Sequence, residues 1–110
     1  MYTLKNKVQL IGQIGSKPEA RVTSTGKKWA RLSLGSKVTY WNTAGKRTTE
    51  MQWHTLIAWG DLAELVKKYA VKGKNIAIEG KLINRDYIDK QGILRNVTEI
   101  ILFNVELLKA

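Results

Sequence analysis

Short runs of alternating apolar and polar residues fill most of the chain, and glycine-bearing turns separate them. Val8, Leu10 and Ile14 alternate with Gln9, Ile11 and Gln13, the period of two that a half-buried strand requires. Residues 15–19 and 23–28 read as turns. Residues 29–39 alternate cleanly, with Ala30, Leu32 and Leu34 on one face and Trp29, Arg31 and Ser33 on the other. Residues 42–47 read as the tip of a long hairpin, and residues 51–59 as a third strand. The period then changes. Leu62, Leu65, Val66 and Tyr69 recur at helical spacing, Asp61 with Glu64 resembles a capping box, and Gly73 suits a C-terminal stop. Residues 74–87 form a fourth strand with Ile76, Ile78 and Leu82 on one face, residues 89–92 a second hairpin turn, and residues 95–108 the last strand. Three strands, one short helix and two strands predict an all-β domain. The order is that of a five-stranded Greek-key barrel of the OB type, with its helix between strands 3 and 4.

The chain has 110 residues, the size of one domain, with no linker, repeat or low-complexity stretch. It contains no cysteine and a single histidine, His54, which excludes disulfides, thiolate chemistry and clustered histidine metal sites. No apolar run approaches the ~20 residues that span a bilayer, and the N-terminus lacks the features of a signal peptide. A soluble chain with no membrane partner is expected. Charge changes the picture most. Lys and Arg number 19 against 9 Asp and Glu, a net charge of +10. A surplus of this size on a small folded body recruits polyanions, nucleic acid foremost.

Catalysis finds little support. No glycine-rich phosphate loop is present, Glu99 and Glu106 stand isolated in sequence, and His54 has neither a nucleophile nor an orienting acid nearby. The aromatic residues are more informative. Trp53 and Trp59 share one strand face with Met51, Thr55 and Ile57, while His54, Leu56 and Ala58 take the core-like face. Tyr40 and Trp41 stand at the base of the first hairpin and Tyr87 at the base of the second. Basic residues interleave with these rings: Arg31, Lys37, Lys46, Arg47, Lys81 and Arg85, with Lys7 near the N-terminus. Cations that follow phosphates and rings that stack on unpaired bases are what single-stranded nucleic acid needs, whereas a duplex exposes no base faces. The competing reading is that these rings are buried and the hairpins are ordinary basic loops. The last strand also carries Ile100, Ile101, Leu102 and Phe103 in succession, so both its faces are apolar and one needs cover from the helix or another subunit.

These residues resemble the bacterial single-stranded DNA-binding proteins. The resemblance runs through Asn6-Lys7-Val8-Gln9-Leu10-Ile11-Gly12, Pro18-Glu19-Ala20-Arg21, Trp53-His54, Gly60-Asp61-Leu62, Lys72-Gly73, Glu79-Gly80-Lys81-Leu82 and Thr98-Glu99, nearly the whole chain in one register. It implies an OB-fold subunit that forms a homotetramer and wraps single-stranded DNA in replication, recombination and repair, without a cofactor, in the bacterial cytoplasm. It also implies stacking roles for Tyr40 (or its neighbour Trp41), Trp53, Trp59 and Tyr87, and a subunit-interface place for His54. Thr55 and Asp61 stand where the family often carries Arg or Lys, a loss for which Lys27, Lys28, Lys67 and Lys68 could compensate. The chain shows neither the Gly/Pro/Gln-rich linker nor the acidic tip usual in that family, so a tailless form without tail-dependent enzyme partners is expected. A primosome accessory protein of the same superfamily and an RNA chaperone of cold-shock type are the alternatives. The Trp53-His54 and Glu79-Gly80-Lys81-Leu82 segments fit the first family better.

Overall fold

The structure is a computed structural model describing residues 6–108. It contains β1 (Val8–Ile14), β2 (Glu19–Val22), β3 (Lys28–Trp41), β4 (Arg47–Trp59), α1 (Asp61–Tyr69), β5 (Asn75–Ile88) and β6 (Leu94–Leu107). Pairing runs β1–β5–β6–β4–β3 and returns to β1 through Gln13↔Gly35 and Ile14↔Leu34, so five strands close into a barrel. All its pairs are antiparallel except β4–β6. The predicted five-stranded barrel is therefore present, with one addition. Residues 19–22 form β2, a short strand on the edge of β3 that takes in Glu19 from the predicted turn over 15–19. Glu19-Ala20-Arg21-Val22 does alternate polar with apolar, but over only four residues, and all four are exposed, so its apolar pair covers no core face.

The inward set matches the alternation. Ile14, Leu34, Leu56 and Ile76 are fully buried, Ala30, Leu32, Ala58 and Ile78 join them, and α1 adds Ala63 and Val66 to the same cluster. The helix begins differently from the capping-box expectation. Its N-cap is Gly60 at φ 61°, Asp61 is the first helical residue, and no side chain caps the end. The Glu64 carboxylate pairs with Lys28 of β3 instead, tying the first turn to the barrel. The helix stops at Tyr69, and Gly73 (φ 88°) belongs to the turn beyond it.

The three hairpin loops share one design. Thr23, Asn42 and Asp89 each open a five-residue loop whose fourth residue is a glycine at positive φ (Gly26, Gly45, Gly92), and their side chains accept one loop amide at Thr23 and two each at Asn42 and Asp89. In each loop the glycine N–H donates to the opening residue's carbonyl, a type I turn completed by a left-handed residue. The Ile93 amide, with Arg95 and the Gln91 amide behind it, holds the Asp89 carboxyl below its ordinary pKa.

The last strand departs from a simple two-faced reading. Glu79 pairs with Asn104 but Gly80 with Leu102, so Phe103 is a bulge residue and the inward set shifts from Ile100 and Leu102 to Val105. Phe103 is expelled to the surface. Leu82, expected on the core face with Ile76 and Ile78, lies largely exposed near the barrel's edge. Gly80 lets β6 approach closely at this bulge: a Cβ there would collide with the Ile101 carbonyl oxygen and sit 2.8 Å from Ile100 Cγ2. Gly80→Ala should therefore destabilise the domain by about 1–3 kcal/mol, the cost of overpacking against backbone, as a lower urea midpoint with unchanged slope.

Candidate nucleic-acid interface

Alternation along β3, β4, β6 and β5 assembles one continuous outer face. Register sets Trp29 opposite Trp59, Gly35 opposite Trp53 and Trp41 opposite Arg47, while β5 contributes Lys81, Arg85 and Tyr87. The rings are accessible: Trp41 is 73% exposed, Trp53 57%, Trp59 44% and Tyr87 42%. Trp29, by contrast, is half-buried, with its ring 6.4 Å from Trp59 and the Arg21 guanidinium 5.9 Å from its centroid. Ile57 was expected beside the outer rings and does lie on their face, yet it is buried, flooring a depression of about 290 Å³ with Trp29, Trp59, Ile83 and Ile101. A second depression of about 250 Å³, lined by Arg31, Ser33, Thr55 and Tyr87, adjoins it across Arg85 and Glu99.

The first hairpin separates its two rings. Trp41 continues the face of Trp53, whereas Tyr40 lies on the other face of the ribbon and donates its hydroxyl to Glu50 at 2.7 Å. That bond to the Glu50 carboxylate raises the phenol pKa of Tyr40.

Glu99 is the residue that sequence reasoning missed. It is 3% exposed, and its carboxylate accepts from Arg85 Nε at 2.7 Å and Nη2 at 3.3 Å. The bond that Arg85 donates to Glu99 raises the Arg85 pKa further, and the guanidinium stands 5.7 Å from the Tyr87 ring centroid. Only the β5–β6 register reveals this pair: Glu99 stands opposite Ile83 and Arg85 opposite Val97, so the two are diagonal neighbours on one face although 14 residues apart in sequence.

The seven basic residues read as phosphate contacts divide into two groups. Lys7 pairs with Glu79 at 3.3 Å, Arg31 with Glu19 at 3.3 Å, and Arg85 with Glu99. Lys37, Lys46, Arg47 and Lys81 have no carboxylate partner among the described residues. Lys7 stands with Glu79 toward the other end of β5 from Tyr87, away from the ring-bearing region. Of the compensating lysines, Lys28 is engaged by Glu64, and Lys67 lies in the last turn of α1 beside Lys68. His54 is half-buried on the core-side face, its Nε2 3.1 Å from Ser36 Oγ. Among the described residues, no helix is long and apolar enough to cross a membrane, and no three His, Cys, Asp or Glu residues group as metal ligands.

Comparison with known proteins agrees with this geometry. The model of the single-strand binding protein family matches residues 5–108. Single-stranded DNA-binding protein 1 of Chlorobaculum tepidum is 35% identical over 106 residues, covering 96% of this chain and 65% of the relative. Its namesake from Streptococcus pyogenes serotype M6 is 40% identical over 105 residues, covering 96% and 78%. The chain thus spans about two thirds of the length of the first relative and under four fifths of the second. Among solved structures, the Plasmodium falciparum SSB complex with ssDNA superposes with a TM-score of 0.86 at 25% identity over 99% of both chains. A deletion mutant of the single-stranded DNA binding protein from Thermus aquaticus gives 0.83 at 25% identity, over 96% of this chain and 51% of that one. With a family model matched almost end to end and the fold shared with these structures, the chain belongs to the single-strand binding protein family.

Proposed function

We propose that this chain binds single-stranded DNA without sequence preference and without catalysis, protecting it during replication, recombination and repair in the bacterial cytoplasm. One observation carries the reading: four exposed rings, Trp41, Trp53, Trp59 and Tyr87, lie along a single sheet surface with Lys37, Arg47 and Lys81 among them. Bases would stack on these rings while phosphates run past the cations. Tyr40 would add a ring on the far side of the first hairpin. The ssDNA named in the Plasmodium structure and in the names of the bacterial relatives supports the same partner.

Self-association into a tetramer belongs to this reading. Most of β1 pairs only with β5, since its contact with β3 is confined to Gln13 and Ile14, which leaves an open strand edge. Ile11 and Phe103 expose apolar surface besides, and His54 would lie near such an interface. Light scattering combined with a fluorescence titration by oligo-dT of increasing length tests partner and assembly together. The expected result is an oligomer whose tryptophan emission is quenched by single strands and hardly by duplex. Equal affinity for both forms would overturn the proposed partner, and a monomer at micromolar concentration the proposed assembly.

A further inference from the structure

Trp53 owes its place to two glycines. Gly15 closes the end of β1, where its N–H donates to the Ser33 carbonyl at 3.0 Å, and Gly35 lies directly across from Trp53 in the β3–β4 register. A Cβ on Gly15 would collide with Trp53 Cζ3 and stand 2.9 Å from both Cη2 and Ser33 Oγ. A Cβ on Gly35 would lie 2.8 Å from Cζ3 and 2.9 Å from Cη2 of the same ring, and 2.6 Å from Met51 Cε. Neither glycine has positive φ, so backbone conformation alone does not demand glycine at either position. What requires glycine is the ring. The benzo edge of Trp53 rests on bare backbone from two strands, while more than half of the residue stays open to solvent.

We propose that Gly15 and Gly35 are positioning residues, a two-strand seat that holds the Trp53 indole down on the barrel as a stacking platform. The inference rests on the proposed binding of single-stranded DNA and adds the residues that set the geometry of one platform. The atoms a new methyl would strike belong chiefly to the movable ends of Trp53 and Met51. An alanine would therefore tilt or lift the ring and leave the fold nearly untouched, so binding and stability respond separately.

Coupling to Trp53 is the test. Oligo-dT affinity would be titrated, using quenching of the remaining tryptophans, for the wild type, Gly15→Ala, Gly35→Ala, Trp53→Ala and each glycine variant combined with Trp53→Ala. Thermal midpoints would be recorded alongside. Gly15→Ala is expected to weaken binding roughly fivefold or more, within the loss caused by Trp53→Ala itself. Once the indole is gone, the same alanine should change affinity by less than about twofold, the non-additivity of residues that act through one another. Gly35→Ala should couple with the same sign but less strongly, because part of its methyl's volume displaces the mobile Met51 end. Equal losses with and without Trp53, or wild-type affinity in both single glycine variants while Trp53→Ala weakens binding, would overturn the seat. A wild-type chain that fails to bind oligo-dT would instead overturn the proposed function on which it rests.

Discussion

Removing two rings together, Trp53→Ala with Trp59→Ala, should cost single-stranded DNA binding roughly 2–6 kcal/mol, the sum of two stacked bases at about 1–3 kcal/mol each. Additivity is expected because the rings are far apart: six residues at about 3.3 Å separate them along β4, roughly 20 Å. The fold should survive. Both side chains are substantially exposed, and the buried atoms beneath Trp59 belong to Ile57, which remains. Trp59→Ala does surrender its tilted contact with Trp29, for which about 0.5–1.5 kcal/mol of stability is expected to go. Trp53→Ala merely uncovers the backbone of Gly15 and Gly35. A binding isotherm and a thermal melt on the same double variant separate the outcomes. A large stability loss with proportionate loss of binding would mean that the rings are core, and the stacking surface would have to lie elsewhere.

The parts of this molecule legible in its sequence are those governed by a residue's own strand. Alternation along 29–39 and 51–59 placed Ala30, Leu32, Leu34, Leu56 and Ala58 inside and brought Trp53 and Trp59 onto one face, because a strand's period is local. The hairpin loops were legible for the same reason, since a Thr, Asn or Asp opener and a glycine at positive φ act within five residues. What could not be read depends on a neighbouring strand. Glu99 is buried because Arg85 reaches it across the β5–β6 register. Ile57 is buried among Trp29 of β3, Ile83 of β5 and Ile101 of β6, which only the pairing of strands brings around it. Phe103 points outward because β6 carries one residue more than β5 can match, and nothing in the run Ile100-Ile101-Leu102-Phe103 marks which residue is extra. The rings of the candidate site were therefore visible early. The charge state of its surroundings was not, since whether a cation is already spoken for depends on carboxylates that pairing brings alongside.

That distinction gives the cations unequal expected roles, and salt dependence measures them. Each phosphate neutralised on a single strand contributes about −0.7 to the slope of log K against log salt. Lys37, Lys46, Arg47 and Lys81, without carboxylate partners among the described residues, are expected to contribute fully. Changing all four to Gln should flatten the slope by about 3, and affinity at low salt should fall by several orders of magnitude while converging on the wild type at high salt. Arg85 should behave in the opposite way. Its charge is balanced by Glu99 through two hydrogen bonds, so Arg85→Gln combined with Glu99→Gln preserves net charge and should leave the slope unchanged. Glu99→Gln alone releases the guanidinium for a phosphate while keeping a polar partner beneath it, and it should steepen the slope by about 0.7. Titrations at four or five salt concentrations on these three variants decide the matter. A slope flattened by the Arg85/Glu99 pair as much as by any one of the four unpaired cations would show that Arg85 leaves Glu99 when DNA binds, so that the ion pair is a latch rather than a fixture.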